Sequence, residues 1–147
     1  MIINTCSGTM TFAKELENES AKFYQNLSQR FVKDKEVFLS FVKENGEYIT
    51  QIERAYYGVI TDAIEGCFAF HINPEEYKIK TELAEKVSYS EALGRTLEIE
   101  EKIIEFYSDA AEQSKSLMAD VPRTFKMVAK KRTNRQSTLK TLLDKKD

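Results

Sequence analysis

Tryptophan is absent from this chain, histidine occurs once, and there are only two cysteines, two prolines and five glycines among 147 residues. Each shortage excludes something. With so few helix breakers, long uninterrupted helices are expected. Cys6 and Cys67 are far apart and form no CxxC, so the chain cannot build a four-thiolate zinc or iron site; they read as reduced thiols. No apolar run approaches the roughly 20 residues that span a bilayer. The net charge of -2 gives no global pull toward nucleic acid or anionic lipid. The first ten residues lack the charged start and long apolar core of a secretory signal, so a cytoplasmic location is expected.

What is present fits one globular domain over residues 1–147. The chain is 41% hydrophobic and 31% charged, enough for a single core and too short for two. Apolar residues recur at spacings of three and four in four segments. The spacing predicts a first helix over about Phe12 to Phe31 and a second over about Lys35 to Ala63. Gly46 lies inside the second, where a bend or a close backbone contact is expected. Periodicity fails from Ile64 to Val87, around Gly66, His71, Asn73 and Pro74, which reads as a long connection. The third helix opens on Ser88-Tyr89-Ser90-Glu91, a capping-box pattern, and runs to about Ser114. The fourth begins at Asp120-Val121-Pro122 and runs to about Leu143. Two short links and one long one predict an all-α four-helix bundle of two αα-hairpins joined by a long crossover.

Two glutamates interrupt this pattern. Glu17 stands in the stripe Ala13, Ser20, Tyr24, Leu27, Phe31, and Glu100 in the stripe Leu93, Leu97, Ile104, Tyr107, Ala111. A carboxylate taken into a helix core is costly unless a cation, a proton or a metal compensates it. The two helices also read as copies, since each carries Glu followed seven residues later by the Tyr of a Phe-Tyr pair. A shift of 87 residues similarly relates the second helix to the fourth, pairing Phe38 with Phe125, Phe41 with Val128 and Ile52 with Leu139. Under that shift Glu44 meets Lys131 and Glu47 meets Asn134.

With these residues the chain resembles the ferritin-like superfamily, and within it the rubrerythrin-type di-iron carboxylate proteins, from Thr11 to Leu143. The resemblance implies a bundle holding two metals with one Glu from each of two helices and Glu-x-x-His from each of the others. Glu17 and Glu100 fall on the single-Glu positions, and Tyr24 and Tyr107 follow as neighbours of the site. Glu44 keeps the first ligand of the second helix, but Glu47 occupies the histidine position. On the fourth helix Lys131 and Asn134 replace both ligands. A rubredoxin-like domain, which needs four cysteines, is not expected.

Electrostatics sets the alternatives for such a site. Carboxylates about 4 Å apart repel by roughly 4 kcal/mol per pair at an effective dielectric near 20. In one reading Lys131 points inward and forms an ion cluster with Glu100 and its neighbours, so the protein binds no metal and is non-catalytic. In another, Glu17, Glu44 and Glu47 hold one divalent metal; an all-oxygen set favours magnesium, calcium or manganese. In a third, one or two glutamates keep their protons. An iron pair with peroxide or iron oxidation chemistry is the disfavoured alternative, because both ligands of the fourth helix are lost. Glu47 sits roughly 120° from Phe41 at 100° per residue, on the edge of the stripe. Tyr24 and Tyr107 read as core aromatics bonded to the buried glutamates.

The remaining candidates concern partners. His71, four residues after Cys67, could make a two-ligand metal grip but reads better as a loop histidine. The fourth helix carries Arg123, Lys126, Lys130, Lys131, Arg132, Arg135, Lys140, Lys145 and Lys146 against Asp144 and Asp147, which suits an acidic protein partner or internal neutralisation. Without interleaved aromatics, nucleic-acid binding is disfavoured. Phe23, Leu39, Tyr57, Ile99, Ile103 and Phe106 lie off the main stripes, and a homodimer face is expected there.

Overall fold

The computed structural model describes residues 1–58, 69–117 and 120–145. Among these, four long helices follow in order: α1 (Cys6–Arg30), α2 (Lys35–Gly58), α3 (Tyr89–Gln113) and α4 (Asp120–Lys145), with short 3-10 turns at Val32–Asp34 and Pro74–Tyr77. Residues Val59 to Ala63, the expected end of the second helix, lie outside the described residues. The all-α bundle is therefore established at the level of its helices. No described helix is long and apolar enough to cross a membrane.

Local sequence accounts for three of the four helix starts. Ser88 accepts the Glu91 N–H at 3.1 Å and Glu91 accepts the Ser88 N–H at 3.4 Å, which completes the capping box of α3. Pro122 sits in the first turn of α4, where a missing N–H costs nothing. The first helix starts six residues before its expected position. Thr5 caps it by accepting the Gly8 N–H at 3.0 Å, and Cys6, Thr9 and Met10 extend its buried stripe. Gly8 is required by a close approach, since a Cβ there would lie 2.9 Å from Ile3 Cγ2. Gly46 differs from its expected role: a Cβ there would meet nothing within 4 Å, so no close backbone contact selects glycine.

Helix α1 packs mainly on α2, and α3 on α4, while α2 also meets α4 and α1 meets α3. Neighbours run antiparallel. Phe12 of α1 meets Phe106 late in α3 (ring centroids 5.2 Å), whereas Phe31, just after α1, stacks on Tyr89 at the start of α3 (4.9 Å). Ile52 and Tyr56 near the end of α2 lie with Val121 and Phe125 at the start of α4. Helices α2 and α3 consequently point the same way, and the chain between them must travel the bundle's length. Its described part does so along α3 and, at its far end, against the last turn of α1. The His71 N–H donates to Gln113 (2.7 Å), the Tyr77 hydroxyl to Asp109 (2.5 Å), Arg95 to the carbonyls of Lys80 and Glu82, and Arg30 to those of Ala84 and Glu85.

Four of the six residues expected to be exposed off the main stripes are buried. Phe106 packs against Tyr77 at 5.6 Å, and Phe23, Ile99, Ile103 and Phe106 are all buried within the chain. Tyr77 of the crossover covers part of Phe106. Only Leu39 and Tyr57 of that set are exposed.

Candidate functional site

The centre of the bundle holds four charged side chains with almost no access to solvent: Glu17 from α1, Glu100 from α3, and Arg132 and Arg135 from α4. Helical spacing puts them there. Val121, Phe125, Val128, Arg132, Arg135 and Leu139 form one inward stripe on α4, as Phe38, Phe41, Asn45, Tyr48 and Ile52 do on α2. Arg132 forks onto Glu17, with Nε 3.2 Å from Oε2 and Nη2 2.7 Å from Oε1, and its Nη1 donates to Glu100 Oε1 at 2.6 Å. The planar guanidinium thus bridges two carboxylates from different helices.

Two tyrosines complete the carboxylates by crossing between helices. Tyr24 of α1 donates to Glu100 of α3 at 2.5 Å, and Tyr107 of α3 donates to Glu17 of α1 at 2.6 Å. A seven-residue step keeps each Glu and Tyr on one helix face about 10.5 Å apart, so two antiparallel copies form both pairs at once. Burial, then the neighbouring carboxylates Glu100 and Glu17 respectively, hold both phenols well above their ordinary pKa. They are neutral donors at physiological pH.

Arg135 joins the cluster to its rim. Its guanidinium donates to Asn45 (3.1 Å), to the Phe41 carbonyl (3.3 Å), to Glu44 (3.0 Å) and, more weakly, to Glu100 (3.5 Å). It lies 4.5 Å from the Phe41 ring centroid and 5.5 Å from that of Tyr48, which also faces Arg132 at 5.7 Å. Burial raises the Tyr48 phenol to about 12, and its buried hydroxyl has no hydrogen-bond partner among the described residues. Burial alone would raise the Glu100 carboxyl as well. Arg132, Arg135 and the Tyr24 hydroxyl outweigh it and hold Glu100 below its ordinary value. For Arg132, burial opposes the charge, but Glu100 and Glu17 more than restore it.

The expected counter-ion is therefore corrected by one residue. Lys131 and Asn134 are exposed and line an open cleft of about 220 Å3 with Glu44, Phe41, Arg135 and Thr138. One residue is 100° of helix, which takes Lys131 out of the stripe that holds Arg132. Glu47 is corrected for the same reason: it is exposed, whereas Asn45 and Tyr48 face inward. Glu44 reaches the cluster from its edge, with 44% of its side chain exposed. The structure brings together Glu17, Glu100, Tyr24, Tyr107 and Glu44, and leaves out Glu47, Lys131 and Asn134.

A metal does not fit this donor set. Both oxygens of Glu17 and of Glu100 already accept bonds, and the Arg132 guanidinium occupies the space between them. A cation added there would meet a like charge that cannot be deprotonated. Among the described residues no group of three His, Cys, Asp or Glu side chains could hold a metal ion. His71 is exposed, and Cys67, its suggested companion, lies outside the described residues. The signal for Arg132 and Arg135 was the one that identifies Glu17 and Glu100, a charge inside an apolar stripe. Comparison with protein-family models, with curated proteins and with solved structures finds no match to this chain.

Proposed function

We propose that this chain is a ferritin-like bundle of the rubrerythrin type in which an arginine-carboxylate-tyrosine cluster has taken the place of the di-metal centre, leaving a non-catalytic module. The observation that carries this reading is the Arg132 guanidinium, fully buried and bonded to both Glu17 and Glu100. The shift of 87 residues supports it. It pairs Asn45 with Arg132 and Tyr48 with Arg135, so both helices present two inward polar side chains three residues apart, the spacing of the family's Glu-x-x-His pairs. Charge balance supports it too, because among the described residues two buried guanidiniums match two buried carboxylates.

Such a module acts through its surface. With Arg132 and Arg135 drawn inward and Arg123 paired to Asp120, helix α4 still exposes Lys126, Lys130, Lys131, Lys140 and Lys145, which suits an acidic protein partner. Homodimerisation has less to recommend it, since Leu39 and Tyr57 alone remain exposed from the expected face.

Elemental analysis of protein purified without added metal, followed by iron titration and a peroxide-reduction assay, tests the proposal. The expected result is no stoichiometric metal and no turnover. Two metals per chain with peroxide turnover would overturn it in favour of an altered carboxylate oxidoreductase.

A further inference from the structure

On the outer side of the bundle, between the crossover, α3 and α4, lies a groove of about 530 Å3. Its size is that of a small-molecule site. Half-buried Leu97, with the edges of the buried Ile79 and Ile99, supplies a narrow apolar wall, while Lys78, Lys80, Arg95, Lys102 and Lys140 surround it with five cations against the carboxylates Glu98 and Glu101. Those carboxylates are partly engaged. Glu101 accepts from Gln136 at 3.0 Å, Glu98 lies 3.8 Å from Arg95, and Lys102 is itself paired with Glu105 at 3.7 Å, which leaves three cations of the lining free of ion pairs among the described residues. Lys78, Lys80 and Lys140 have no ion-pair partner among the described residues, and all three are exposed.

We propose that this groove binds an amphipathic small-molecule anion, an aliphatic chain carrying one carboxylate. The apolar wall and the lysine stems take the chain, and the unpaired ammonium groups at the rim take the headgroup. The net positive lining excludes neutral and cationic molecules of the same shape, and the apolar wall gives a bare inorganic anion nothing to bury. Arg95 has a different part. Its guanidinium is bonded to the carbonyls of Lys80 (3.3 Å) and Glu82 (2.9 Å), so it fixes the crossover as one wall of the groove.

The test is a titration of the full chain with decanoate below its micellar concentration, followed by backbone amide NMR. Saturable shifts are expected at Lys78 to Lys80, Leu97 to Lys102 and Gln136 to Lys140. The variant Lys80→Glu/Lys140→Glu should weaken binding by roughly tenfold or more, while Lys131→Glu, in the cleft on the other side of α4, should leave it unchanged. Four results would each overturn the proposal: equal binding of decanol; equal shifts from inorganic phosphate; association with phosphatidylglycerol vesicles without any response to free decanoate; or full affinity in Lys80→Glu/Lys140→Glu. If that variant melts, Lys80→Gln/Lys140→Gln makes the same comparison with the charge removed rather than reversed.

Discussion

The two halves of this bundle agree on one pair of helices and disagree on the other. Helices α1 and α3 contribute the same parts, a buried Glu and a Tyr seven residues later, and each Tyr serves the other helix's Glu. Helices α2 and α4 occupy equivalent places with opposite chemistry, since Asn45 and Tyr48 are neutral where Arg132 and Arg135 are charged. Every buried cation among the described residues therefore comes from one half. The symmetric helices form an anionic frame, and a single asymmetric helix neutralises it. One consequence is mechanical: Arg132 ties α4 to both α1 and α3, and Arg135 ties it to α2, so the cluster joins all four helices.

Removing the asymmetric element should do the most damage. Arg132→Met leaves Glu17 and Glu100 buried without the cation between them, and a loss of about 3–5 kcal/mol is expected in urea denaturation. Adding Glu17→Gln and Glu100→Gln to that variant should recover a large part of the loss, because no unpaired charge is then buried. A triple variant no more stable than Arg132→Met would mean that the cost lies in packing rather than charge.

Within the frame, Glu100 can be tested by pH. Its folded pKa lies below the ordinary 4.5, so its contribution is complete above that value and is lost as pH falls through the lower folded value. Glu100→Gln should accordingly cost about 2 kcal/mol at pH 7, and the gap from the parent protein should close below pH 4.5. A gap that persists in strong acid would show that the carboxylate's charge is not what Glu100 contributes.

The tyrosines measure how equal the two halves are. Tyr24→Phe and Tyr107→Phe each remove one hydrogen bond to an ionised carboxylate while the arginines remain, for an expected loss of about 1.5 kcal/mol apiece. Thermal melts of the two variants should nearly coincide. A clear difference would place the asymmetry of α2 and α4 in the frame as well.

How much of this was legible in the sequence follows from the same division. Glu17, Glu100, Tyr24 and Tyr107 stand out because a charge and a fixed seven-residue step interrupt stripes of regular helical period. The crossover's length was readable from lost periodicity, but not its packing of Ile79 beside Ile99 and of Tyr77 on Phe106, because burial by a segment without periodicity leaves no pattern. The early start of α1 was hidden by the run Cys-Ser-Gly-Thr, whose weak helix propensity is overridden by the Thr5 cap and the burial of Cys6, Thr9 and Met10. Arg132 and Arg135 were readable in principle. On α4, cations stand at both 131 and 132, and aligning Glu44 and Glu47 as ligands selected the wrong neighbour by one residue.

That one-residue choice makes the smallest and sharpest comparison. Lys131 and Arg132 are adjacent cations on one helix, separated by 100° of rotation, so charge and helix propensity are nearly matched and only direction differs. Lys131→Met removes an exposed ammonium at an open cleft and should change stability by no more than about 0.5 kcal/mol, against several for the same substitution at Arg132. A melting temperature for Lys131→Met as low as that of Arg132→Met would mean that α4 sits rotated in solution, with lysine rather than arginine on the carboxylates.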